Sequence, residues 1–579
     1  MRSTRWIAGL AALAALALGA ALFRLPPGRD RQPVTRFEVG LAEPLASFYL
    51  PALALSPDGD ELVYAGASGL WVRRMDRMES RLLPGTQGGH GPFFSPDGGA
   101  IGFFSEGRLA RVEIDGNGPP KELARIGGPR GASWGSDGFI YFSPASNTGL
   151  MRVRADGGEV ETVTELDGAQ GEWTHRWPEV LPGASAVLFT VARSELASFD
   201  EADLVAMDLA TGERRVVMKG ASFGRYVEGR LLYARAGTIL EAPFDLEALE
   251  TLGAPRSLLE DAAIYAINGA AQFAASRRLL LYVPESVAPV SSRLHWSDRE
   301  GERSLLLEDA RVLYDPALSP DGSKVAVSVV TEGNSDLWIY DRLRETFFRL
   351  TSSAGEEQHP LFAPNSLEIA YTYSMAGPFR MFSRPADGAG EPRELGGHGG
   401  SESPESFSAD GKLLVFSEQS FESGFDLSIL DASDSSRRAL LATPFDERSA
   451  RISPDGRFVA YSSNESGRFE VYATPFPEVG ARLQVSVAGG EHPRWTRGGQ
   501  ELVFLSSEGV MGVAIDTKRG LSAGKPRLLF AYRPPPVRLE GTYRSPYDVS
   551  ADGERFLLLE SEDSASLRLH GVLNWLEER

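Results

Sequence analysis

The chain has 579 residues, more than one hydrophobic core organises, so two or more domains are expected. Its formal charge of −20 argues against nucleic acid, whose phosphates attract Lys- and Arg-rich surfaces. Cysteine is absent, which excludes disulfides, thiolate catalysis, cysteine-type zinc sites and a lipoprotein anchor cysteine.

From the N-terminus, Arg2 and Arg5 precede an uncharged apolar run from Trp6 to Phe23. As a helix this run would reach roughly 27 Å, close to the thickness of a bilayer core. Residues 1–23 are therefore expected to be a signal anchor or signal peptide. Pro26 and Pro27 end the helix. Residues 24–45 read as a basic linker that can supply a ring-closing strand, Val34 to Leu41.

The body of the chain repeats. Clear copies of one turn stand at Ser56-Pro57-Asp58-Gly59, Ser95-Pro96-Asp97-Gly98, Ser319-Pro320-Asp321-Gly322 and Ser453-Pro454-Asp455-Gly456. Weaker copies, such as Ser408-Ala409-Asp410-Gly411 and Ser550-Ala551-Asp552-Gly553, bring the total to twelve at a spacing near 45 residues. Proline presets φ, Asp bonds back to the turn backbone and Gly supplies a positive φ. Apolar, β-branched runs flank each turn. In the seventh repeat the expected strands are Val312 to Leu318, Lys324 to Val330, Asp336 to Asp341 and Phe347 to Leu350. Four short strands in such a period make a propeller blade. The expected fold class is all-β: two tandem β-propellers of about six four-stranded blades each, after one N-terminal hydrophobic helix. The first would occupy 46–308 and the second 309–579, with a seven-plus-five division open.

The Ser-Pro-Asp-Gly turn followed by a Leu-Trp-aromatic-Asp strand, as in Leu337-Trp338-Ile339-Tyr340-Asp341, resembles TolB-type, WD40-like propeller repeats. The order of the segments is also telling. One apolar span is followed by Val34-Thr35-Arg36-Phe37, Leu82-Leu83-Pro84-Gly85-Thr86, His175-Arg176-Trp177-Pro178 and a terminal Asn574-Trp575. It is similar to the extracytoplasmic half of bacterial membrane-spanning serine/threonine kinases. The resemblance implies an outward-facing propeller pair serving as a sensor or interaction region. Only five residues precede the span, and no glycine-rich loop, HRD or DFG motif is present, so no kinase domain is expected.

Candidate chemistry is sparse. Gly131-Ala132-Ser133-Trp134-Gly135 matches the nucleophile-elbow pattern but sits in a repeat turn rather than at a strand-to-helix turn. The Asp-Gly turns explain their own aspartates, so no metal and no cofactor are expected. A histidine precedes the innermost strand of several repeats: His90, His175, His359 and His492. Glu172, Glu357, Glu491, Arg176 and Arg494 accompany them. In a propeller such positions converge on an axial funnel, which would bind an anion, a peptide end or another small ligand. The expected function is non-catalytic binding, scaffolding or sensing of a protein or peptide partner at the bacterial envelope. The propellers would lie outside the cytoplasmic membrane, or free in the periplasm if the leader is cleaved. The alternative is a propeller hydrolase or lyase using His and Glu in an axial pocket. A third reading is a kinase-less relative acting as an accessory to a receptor.

Overall fold

The computed structural model describes residues 32–577, apart from 46–49, 106, 194–195, 197, 266–267, 286–291, 309–310, 332–333, 354, 376–377, 397–399, 421–422, 519, 535–544 and 562–567. The apolar run Trp6–Phe23 lies outside these residues. Among the described residues no helix is long and apolar enough to cross a membrane.

The chain is all-β. Among the described residues there are ten four-stranded and two five-stranded sheets and one two-stranded ribbon, all antiparallel within the pairings formed. The seventh repeat gives the sheet Val312–Leu318, Lys324–Thr331, Asn334–Asp341 and Thr346–Arg349. Its first turn shows why the motif recurs. Ser319 Oγ donates to Asp321 Oδ1 at 2.6 Å and accepts the Lys324 amide at 2.9 Å, while Gly322 takes φ 67°. The same two side-chain bonds recur at Ser56, Ser95, Ser408, Ser453 and Ser550. The hydrogen bond from Ser319, with the Ser323 amide, draws the Asp321 carboxyl down to about 2. A second device joins the last two strands. The hydroxyls of Thr86, Thr164, Thr351 and Ser486 accept the amides of Leu70, Leu150, Leu337 and Val471.

The first strands of the sheets meet in two closed cycles. In one, Leu53–Leu55, His90–Phe94, Ala132–Trp134, Glu172–Val180 and Ser222–Val227 lie side by side in that order. Phe273–Ala275 lies against Leu53–Leu55, and Phe273 meets Phe223 with ring centroids 5.5 Å apart. In the other, Val312–Leu318, Glu356–Phe362, Glu402–Phe407, Glu447–Ile452, Glu491–Thr496 and Tyr547–Val549 follow one another, and the last returns to the first.

Each cycle is completed by strands distant in sequence. Thr35–Gly40 pairs with Arg568–Leu573, which pairs with Leu279–Tyr282. Ser292–Ser297 pairs with both Arg303–Glu308 and Phe556–Ser561. Pairing therefore crosses the expected boundary at 308/309 in both directions. Ser292–Glu308 shares a sheet with Tyr547–Val549, and Arg568–Leu573 shares one with residues 35–40. The physical reason is edge protection: a strand with unpaired N–H and C=O groups invites foreign pairing, and closure with a remote strand removes that edge. Trp575 follows the returning strand, is fully buried, and donates its indole N–H to the Ser276 carbonyl at 2.8 Å.

Two outcomes follow. Trp575→Ala lowers the free energy of unfolding, followed by urea titration, by about 3–5 kcal/mol, as expected for a large aromatic removed from a packed site. Ser319→Ala costs about 1 kcal/mol, because one hydroxyl serves two turn bonds; an unchanged urea midpoint would show the turn is held by its backbone alone.

Candidate functional site

The turn motif sets a register for the inner strands. Four residues before it stand Asp315, His359, Ser449 and His492 in the second cycle. All four have left-handed φ, at 50°, 53°, 56° and 56°. Each lies where strand pairing slips, which re-aims the side chain away from the normal pleat. Two residues before the turn stand Ala317, Leu361, Ser406, Arg451, Arg494 and Asp548. These residues surround one cavity of about 370 Å³, together with Glu405 and Ser545.

The wall has two characters. On the side of Val312–Leu318, Glu356–Phe362 and Glu402–Phe407 it carries Pro316, Leu318, Pro360, Leu361, Phe362 and Phe407. On the opposite side it carries Arg451, Arg494 and Asp548. The polar groups are linked from sheet to sheet. Arg494 Nε donates to Asp548 Oδ1 at 2.9 Å, and Asp548 Oδ2 accepts the Leu318 amide at 2.8 Å. Arg451 Nη1 lies 3.3 Å from Glu405 Oε2, and Glu405 Oε1 accepts the Ser449 amide at 3.2 Å. Ser449 Oγ is 3.2 Å from His492 Nδ1. Burial holds the His492 imidazole down at about 3, so it is neutral at physiological pH. Burial and the adjacent Arg494 lower the Arg451 guanidinium to about 10. His359 Nε2 is 3.9 Å from Asp315 Oδ2, beyond hydrogen-bond reach.

The corresponding centre of the first cycle is filled. Four residues before its turns stand Ala52, Gly91, Gly131, Trp177 and Gln272, with Phe223 at the matching bulge. Trp177 and Phe223 are buried, with ring centroids 5.7 Å apart. A Cβ on Gly131 would come within 2.8 Å of the Trp177 ring, so glycine there makes room for the indole. Gln272 closes the last gap: its Oε1 accepts the Ala52 amide and its Nε2 donates to the Leu50 carbonyl, both at 2.9 Å.

The residues singled out by sequence fall into three groups. His359, His492 and Arg494 share the second cavity. His175, Glu172 and Arg176 are built into the first cycle. His175 is fully buried, with Nε2 3.0 Å from Glu172 and Nδ1 2.7 Å from Thr164 Oγ1. That chain of carboxylate, imidazole and hydroxyl resembles a nucleophile relay, but Thr164 is itself buried and accepts the Leu150 amide. Burial alone would raise the Glu172 carboxyl; His175, the Asp167 amide and Arg214 hold it at about 2 instead. Arg176 donates to the carbonyls of Asn268 and Ser146 and lies over the Phe199 ring. His90, Glu357 and Glu491 lie on the inner strands outside the cavity wall. His90 Nδ1 contacts the Gly88 carbonyl at 2.9 Å, and Glu491 Oε2 meets Arg448 at 3.4 Å. His90 and His175 stand one and two residues before the bulge positions Gly91 and Trp177, so neither occupies the axial position itself. Sequence reasoning missed Asp315, Glu405, Ser449, Arg451 and Asp548. Counting back from the turn, rather than looking for histidine, finds all but Glu405. Ser133 of the elbow-like motif lies in strand Ala132–Trp134 and accepts the Val180 amide at 3.0 Å. Among the described residues no group of three or more metal-ligating side chains is present.

Burial, with the nearby Asp336 carboxylate, raises the Glu357 carboxyl to about 7. A raised folded-state value means the folded protein binds the proton more tightly. Stability from this group is fully present below the unfolded value, near 4.5, and is lost as pH rises through about 7. Glu357→Gln flattens that dependence between these two limits in urea melts across pH; an unchanged slope would assign the dependence to other groups.

Residues 297–496 match the PD40 family, described as the TolB beta propeller domain. Over 90 residues the chain is 30% identical to the Tol-Pal system protein TolB of Anaeromyxobacter dehalogenans strain 2CP-1, covering 16% of this chain and 20% of the relative. The same protein from strain 2CP-C is 29% identical over 90 residues, with the same coverage. The chain thus spans about a fifth of the length of these curated relatives. Among solved structures, a putative TolB from Agrobacterium tumefaciens aligns with TM-score 0.38 and 16% identity over 48% of this chain and 99% of its own. The tricorn protease aligns with TM-score 0.31 and 13% identity over 89% and 60%. With its repeat turn, its four-stranded sheets and the family match, the segment 297–496 is similar to the TolB beta propeller domain.

Proposed function

We propose that this chain is a tandem of two six-bladed propellers that binds a protein or peptide segment in the axial cavity of the second, without chemical conversion of it. The observation that carries this reading is the contrast between two centres built on one plan. The first is filled by Trp177, Phe223 and Gln272; the second is hollow, about 370 Å³, with its apolar residues gathered on one side and its two arginines on the other. A concave site of a few hundred Å³ with few placed polar groups is the usual form of a recognition pocket. An extended segment, with apolar side chains and a polar backbone, meets both walls at once. The match to a family that includes proteins named for the Tol-Pal system supports an envelope role. The apolar run Trp6–Phe23 supports export with retention at, or release from, the outer side of the cytoplasmic membrane. The charge of −20 supports a partner other than nucleic acid.

Binding is favoured over hydrolysis by the engagement of the cavity carboxylates. Asp548 and Glu405 are held by Arg494, Arg451 and backbone amides, and His492 contacts the Ser449 hydroxyl. A general base needs a histidine and a carboxylate within hydrogen-bond reach, facing substrate. The test compares partners captured from envelope extract by the native protein with those captured by His359→Gln and His492→Asn. Asn tolerates the left-handed backbone at 492. At least one native partner is expected to be lost from both variants while the free energy of unfolding, followed by urea titration, stays within about 1 kcal/mol of native. Full retention of every partner by both variants sinks the reading.

A further inference from the structure

Beside the axial cavity lies a smaller, partly open chamber of about 20 Å³. The two spaces share His359, Ser403 and Glu405 in their linings, so these residues form the wall between them. Glu402 lines it, buried to 2% exposure. Glu402 Oε1 accepts from Arg437 Nη2 at 2.6 Å, but Oε2 has no hydrogen-bond partner. A buried carboxylate oxygen without a donor carries a desolvation cost that any fitting donor would remove. Phe379 and Phe425 form apolar walls, and the hydroxyls of Ser403 and Ser417 add acceptors. Arg448 also borders the chamber, with its charge matched by Asp446 at 3.7 Å and Glu491 at 3.4 Å and its guanidinium over the Phe469 ring.

The missing partner is therefore a small donor, cationic or neutral, approached from the cavity. The space fits one water-sized group, since about 10–15 Å³ of such volume holds a single water. An ammonium has that size; a planar guanidinium with its five N–H groups does not. Aromatic faces favour a cation further. Resting on the reading of the axial cavity as a binding site, we propose that the chamber receives the ammonium of a lysine side chain, with Glu402 Oε2 as its acceptor. The four-methylene stem of that lysine passes the shared wall at His359 and Glu405, and the rest of the ligand lies in the cavity. The inference names the chemistry of the partner: an extended segment with a lysine at the point where it crosses the propeller axis.

The test uses the native protein and three probes, the Nα-acetyl methylamides of lysine, arginine and norleucine, at millimolar concentration. Histidine ring signals are followed by NMR, which is tractable because the chain holds seven histidines. The lysine compound is expected to shift the His359 signal, with the arginine and norleucine compounds at least about tenfold weaker. Glu402→Gln is expected to weaken the lysine compound by at least about tenfold, and its histidine spectrum shows whether the fold is kept. Equal binding of the three probes to the native protein overturns the inference without any variant, and so does unchanged affinity in a folded Glu402→Gln. If all three shift His359 and His492 alike, the cavity binds but the chamber holds only water, and the lysine assignment alone falls. If none moves either histidine, the cavity reading falls with it.

Discussion

The pairing of Arg568–Leu573 between Thr35–Gly40 and Leu279–Tyr282 is the contact on which the architecture rests. A cycle of sheets has no stable open form, because the first and last sheets would each expose an apolar face as well as unpaired backbone. The chain closes its first cycle with strands from both ends and its second with Phe556–Ser561 against Ser292–Ser297. Closure fixes the inner strands around an axis, and only then do residues 44 positions apart in sequence, such as Asp315 and His359, become neighbours. The site exists because the ring is shut.

One scaffold yields two centres through substitution at a single register position. In the first cycle that position holds glycine at 91 and 131 and large aromatics at 177 and 223, so small residues accept what large ones fill. In the second it holds Asp315, His359, Pro404, Ser449, His492 and Pro546, none of them as large as the aromatics that fill the first. The apolar centre contributes dense packing; the polar one leaves a water-accessible space bounded by fixed charges. The left-handed backbone at Asp315, His359, Ser449 and His492 is strained for residues other than glycine. It is maintained by the strand-pairing slip and by the neighbouring sheets on either side.

Much of this was legible in the residues. The Ser-Pro-Asp-Gly turn encodes its own geometry, since Ser319, Asp321 and Gly322 each perform a local task that any copy must perform. The strands beside it alternate or run apolar as their burial requires. The ring-closing role of residues 34–41 was legible, but its partner was not: nothing in the residues singles out 568–573 as the strand that pairs with 35–40. The histidines were a partly misleading guide. His359 and His492 stand at the bulge, whereas His175 lies two residues before it in the regularly paired part of its strand, where Glu172 and Thr164 engage its ring. Arg451 and Asp548 escaped notice because a lone arginine or aspartate in a strand looks like surface. Their role follows from distance to the turn, not from residue type.

The return of the C-terminal strand also orders events in time. The first propeller lacks the outer partner of Leu279–Tyr282 until residue 573 has been made, so its closing sheet waits through synthesis of the second one. The second closes as soon as residue 561 is available, and is therefore free to fold first. Until then such a chain presents its N-terminal sheets unfinished, with edges open, for longer than any other part. A helper that shields exposed strands would find its longest window there, ahead of the last few residues that shut the door.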